Sequence, residues 1–129
     1  MVAGKIEFVN YLLELLQPFG SVSSRAMFGG HGIYKDGLIF GIVIDDAFYL
    51  KADEVNRGEF DALGLGPFLY QSKSKAMQVS LGYYACPEDA LESPALMLEW
   101  ARGAYAAALR ATARKKGSKR QKGSNAGLR

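Results

Sequence analysis

The chain is poor in several residue types on which small enzymes depend. It has one cysteine, Cys86, and one histidine, His31. A lone cysteine excludes an intramolecular disulfide and suits a reducing compartment. One histidine and one cysteine also fall short of the ligand set of a structural or catalytic zinc site, so no metal and no cofactor are expected. No apolar stretch approaches the roughly 20 residues of a membrane-spanning helix. No secretory leader is evident at the N-terminus, and a soluble, cytoplasmic protein is the expectation. Acidic residues are missing altogether beyond Glu99.

That last absence divides the chain. Residues 1–99 hold seven Lys or Arg against thirteen acids, a net −6, whereas residues 100–129 hold nine Lys or Arg and no acid, a net +9. A mildly acidic body therefore precedes a basic end. With 49% apolar residues in 129, the chain suits one domain with a real core. We place that domain at residues 1–113. Residues 114–129 are rich in Lys, Arg, Gly, Ser and Gln and read as a disordered tail.

Periodicity supplies the elements. Phe8, Leu12, Leu15 and Leu16 recur at helical spacing until Pro18 and Gly20 end the run. Asp36-Gly37 and Asp45-Asp46 are turn dipeptides between apolar strands and predict a three-stranded antiparallel meander over residues 30–51, with a further strand near Val22–Phe28. Asp53 opens a short helix that Gly64 stops, with Phe60 and Leu63 facing the core. Phe68-Leu69-Tyr70 and the alternation over Ala76–Ala85 predict two more strands. Ser93-Pro94 starts a last helix with Leu96, Trp100, Ala104, Ala107 and Ala111 along one side. Helices packed on an antiparallel sheet make an α+β fold.

Candidate chemistry is sparse. Met27–Tyr34 contains Gly29-Gly30-His31-Gly32. A phosphate-binding loop would lead into a helix, but these glycines lead into a strand, which favours a tightly bent or bulged strand. A Cys86–His31 nucleophile pair competes with simple burial of the thiol, the commoner fate of cysteine. Asp45-Asp46 suits a turn and Asp53-Glu54 a helix start, so the carboxylates have structural reasons. Tyr34, Tyr49, Tyr70, Tyr83 and Tyr84, with Lys35, Lys51, Lys73 and Lys75, could form a base-stacking surface. The stronger polyanion signal is the tail, where Lys115, Lys116, Lys119, Arg120 and Lys122 could attract nucleic acid without sequence preference.

Taken together, Arg25-Ala26-Met27-Phe28-Gly29-Gly30-His31-Gly32-Ile33-Tyr34 resembles the signature of the TfoX/Sxy N-terminal domain. Asp36-Gly37 with Phe40, Phe48–Asp53, Phe60, Gly64, Pro67–Tyr70, Tyr83–Pro87 and Leu98–Ala101 follow in the family's order, over about residues 5–110. The resemblance implies an α+β domain similar to secretion-chaperone-like folds. It also implies a non-enzymatic regulatory or adaptor role of competence-regulator type, exerted through protein contacts with the transcription machinery and the cyclic-AMP receptor protein. Arg25 and His31, inside the signature, are the protein-binding candidates. Similar folds often dimerise. Full-length members add a helical C-terminal domain, and here a basic segment stands in its place.

Overall fold

The structure, a computed structural model, describes residues 5–27, 29–71 and 78–128, with side chains described except at residues 5, 70–71, 78–81 and beyond Lys115. Its elements are α1 (Lys5–Leu15), β1 (Val22–Met27), β2 (Gly30–Lys35), β3 (Leu38–Ile44), β4 (Ala47–Lys51), α2 (Arg57–Ala62), β5 (Pro67–Gln71), β6 (Gln78–Ala85) and α3 (Pro94–Leu128). Short 3-10 turns occupy Gln17–Phe19 and Glu88–Glu92. The strands form one antiparallel sheet in the order β1-β2-β3-β4-β6-β5. The α+β architecture expected from the pattern is the one observed.

The turn chemistry accounts for the meander. Asp36, Gly37, Asp45 and Asp46 all adopt positive φ, at 51, 79, 52 and 60°. Two consecutive left-handed residues match the twist of a two-residue hairpin, and Asp and Gly tolerate that conformation. The glycine segment is a turn followed by a bent strand. Gly29 has φ +76°, and β2 carries a register shift against β3 at Ile33/Tyr34. No helix follows it, so the phosphate-loop alternative falls. Gly30 is there for closeness, because a Cβ would stand 2.1 Å from the Val43 carbonyl oxygen.

One face of the sheet carries the core. Ile33, Val43, Phe48 and Leu50 meet Leu12 and Leu16 of α1, Phe60 of α2, and Met97, Ala101, Ala104 and Ala108 of α3. The register shift also turns Phe40 inward, where its ring meets Phe19 and Tyr105 edge-on at 5.6 and 6.0 Å. Phe60 joins Trp100 and Tyr84, with ring centroids 5.0 and 5.4 Å away.

Several boundaries and faces differ from the sequence expectation. Leu63 is 57% exposed rather than a core contact, because α2 ends at Ala62 and Gly64 turns the chain at φ +74°. The buried stripe of α3 runs through Met97, Ala101, Ala104, Ala107 and Ala108, and Leu96 is 38% exposed. The backbone of α3 continues to Leu128, through the segment that composition reads as a disordered tail.

Candidate functional site

The two protein-binding candidates of the sequence signature sit on neighbouring strands but not on one surface. Arg25 pairs with Gly32 and Ala26 with His31 across the β1–β2 ladder. Directly paired residues share a face and successive residues alternate, so Arg25 and His31 project to opposite sides of the sheet. The guanidinium of exposed Arg25 lies 4.8 Å from the centre of the Tyr34 ring, a cation–π contact. His31 is half-buried, and its Nδ1 is enclosed without a hydrogen-bond partner.

The face away from the core is mixed, aromatic and polar with one buried aliphatic residue. Following the register from β1 to β6, it holds Arg25, Tyr34, Ile42, Tyr49, Lys51 and Tyr83. Tyr49 packs on Phe68 with centroids 5.1 Å apart. Tyr84, by contrast, lies on the core side against Phe60. The five tyrosines therefore do not form one stacking platform. The side chain of Tyr70, and Lys73 and Lys75 entirely, lie outside the described residues.

A cleft opens where the later half of α3 passes the end of the sheet at which β3 starts and β4 finishes. Its volume is about 340 Å³, and its polar lining is Lys51, Tyr83, Thr112 and Lys115. Leu38, Ile39 and the Ala108–Ala111 side of α3 supply apolar walls. The Lys51 ammonium sits 5.1 Å from the centre of the Tyr83 ring. Gly82, at φ +81°, leaves room beside it, since a Cβ there would stand 3.2 Å from Lys51 Nζ. Burial lowers the Lys51 pKa, Asp53 opposes the shift and the charge of Lys115 adds to it. Burial likewise raises the Tyr83 hydroxyl.

The nearby acids are engaged elsewhere. Asp53 accepts from Arg110 Nε at 2.7 Å and Nη2 at 2.9 Å, and Arg114 binds Glu54 at 2.6 Å. Asp53 Oδ1 also accepts the backbone N–H groups of Val55 and Asn56. The Arg110 hydrogen bond is the main reason its carboxyl is lowered to about 2. Among the described residues no carboxylate forms an ion pair with Lys51 or Lys115.

The remaining candidates separate. Cys86 is buried, its Sγ donates to the Pro87 carbonyl at 3.5 Å, and burial pushes the thiol up to about 12. It follows β6, and His31 lies on β2, so β3 and β4 stand between them. At strand spacing this is about 14 Å, which removes a nucleophile–base pair. No group of three or more His, Cys, Asp or Glu among the described residues could hold a metal ion. No helix among them is long and apolar enough to cross a membrane. Of the tail candidates, Lys115 is exposed at the mouth of the cleft. The side chains of Lys116, Lys119, Arg120 and Lys122 lie outside the described ones.

Sequence reading missed the cleft. Lys51 and Lys115 are far apart in the chain, and each alone reads as a solvated lysine. The one available signal was Tyr83-Tyr84 beside a glycine, which gave no partner. A search of curated proteins finds no match. The model of the TfoX N-terminal domain matches residues 14–108, well over half of the chain, and this protein belongs to the TfoX N-terminal domain family.

Proposed function

We propose that this domain is a non-enzymatic regulatory adaptor, of the competence-regulator type, that acts through protein contacts in transcription regulation. The observation that carries the reading is the sheet face opposite the core. There Arg25 over Tyr34 and Tyr49 against Phe68 present aromatic area with a polar rim, the composition favoured at protein interfaces. Family membership supports the regulatory half of the reading. Capture of RNA polymerase and the cyclic-AMP receptor protein by the immobilised full chain tests it. Enrichment should fall with Tyr34→Ala and Arg25→Glu. No enrichment of any transcription component sinks the adaptor role.

A second reading rests on the nine basic residues beyond Glu99. Direct, sequence-independent binding to nucleic acid would use Lys115, Lys116, Lys119, Arg120 and Lys122. Removing residues 115–129 should then abolish salt-dependent DNA binding. Binding that persists unchanged without them excludes this route.

A further inference from the structure

We propose that the cleft at the end of the sheet binds a small organic phosphate monoester, with Lys51 and Lys115 holding the phosphate and the apolar walls holding the ester group. This goes beyond the adaptor reading and does not rest on it.

Charge comes first. Two ammonium groups line one cleft, close enough that Lys115 disfavours the charged form of Lys51. Proteins seldom bring like charges together in a half-buried place without a counter-charge. Asp53 offsets Lys51 only in part, because both its oxygens are shared with Arg110, and Glu54 is paired with Arg114. An incoming anion would relieve the repulsion.

Donor chemistry and shape narrow the anion. A phosphate monoester carries about −1.5 to −2 charges at pH 7 and three strong acceptor oxygens. Two lysines match that charge, and the hydroxyls of Tyr83 and Thr112 on the same lining are further donors. Lysine serves phosphate as a point charge that needs no fixed fork. The cavity, at about 340 Å³, falls within the range of small-molecule sites. Leu38, Ile39 and Ala108 form the wall against which an aromatic or short aliphatic ester group would pack. A naked inorganic anion would leave that wall unused.

The test is a ¹⁵N-resolved titration of the full chain with sodium phenyl phosphate, compared with inorganic phosphate, benzyl alcohol and sodium chloride at matched ionic strength. Phenyl phosphate should shift the amide signals of Lys51, Tyr83 and Thr112 saturably. Affinity should drop about tenfold with Lys51→Met, and about tenfold when inorganic phosphate replaces the ester. Lys115→Gln, on the exposed helix surface, serves as the second variant if Lys51→Met loses its folded spectrum, and it too should weaken binding. The proposal is overturned by shifts that sodium chloride or benzyl alcohol reproduce, by shifts confined to residues 116–129, or by affinity unchanged in the folded lysine variant. Equal affinity for inorganic phosphate would overturn the role of the apolar wall.

Discussion

Arg110 on α3 grips the carboxylate of Asp53 with two prongs, Nε to Oδ2 at 2.7 Å and Nη2 to Oδ1 at 2.9 Å, across 57 residues of sequence. Asp53 is only 11% exposed in its side chain, so the pair ties the loop after β4 to the last helix in a partly desolvated place. The lowered carboxyl gives the pH dependence its sign. A carboxyl with folded pKa about 2 and an unfolded value near ~3.9 contributes stability above the unfolded value. That contribution is lost as pH falls through the folded one. Urea unfolding of the wild type and Asp53→Asn should therefore differ most at pH 5–7 and converge between about pH 4 and pH 2. A gap that stays constant down to pH 2 would contradict the assignment.

Asn56 is a buried polar residue, 7% exposed. Its Oδ1 accepts the Asp53 N–H at 2.7 Å, and its Nδ2 donates to the carbonyls of Lys51 at 3.2 Å and Gly103 at 3.4 Å. Asn56→Ala strands these backbone groups away from water. A loss of about 1–3 kcal/mol in unfolding free energy is expected by urea denaturation. A change within experimental error would mean that water replaces the amide.

Two glycines should respond to alanine in opposite directions. Gly30→Ala drives a methyl into the backbone of Val43 and should cost about 3 kcal/mol or more, or prevent folding. Gly58 lies in α2 with nothing within 4 Å of a built Cβ. Gly58→Ala should stabilise by about 0.5–1 kcal/mol, through helix propensity and a less flexible unfolded chain. Thermal melts of both variants check the pair.

The Cys86 thiol, buried and pushed up to about 12, should resist alkylation by iodoacetamide in the native protein at pH 8 and react at once in denaturant, since the thiolate is the nucleophile. Mass spectrometry after timed labelling reads this. Fast native labelling would show that the site opens.

What could be read from the sequence was the local grammar. Asp36-Gly37, Asp45-Asp46 and Ser93-Pro94 each hold a backbone conformation that few other residue pairs favour, and each sits where expected. In α3 the alanine repeat left the buried face ambiguous, because alanines on all sides weaken the contrast that periodicity needs; Met97 faces in and Leu96 out. The site was less legible still. Register alone puts Arg25 and His31 on opposite faces, and the meeting of Lys51, Tyr83 and Lys115 depends on β6 joining β4 and on where α3 crosses. Such long-range pairings leave no mark in any short window.

The sheet's inner face is covered last. Met97, Ala101, Ala104 and Ala108 of α3 close over Ile33, Val43 and Leu50, and β6 must take its place between β4 and β5 before the sheet is whole. During synthesis the four-stranded meander can pair through its own tight turns, yet α1 and α2 cover only part of its apolar side, and the rest stays bare until residue 108 has cleared the ribosomal exit tunnel. Nascent chains arrested before that point should bind chaperones, whereas those released beyond it should fold in a single cooperative step.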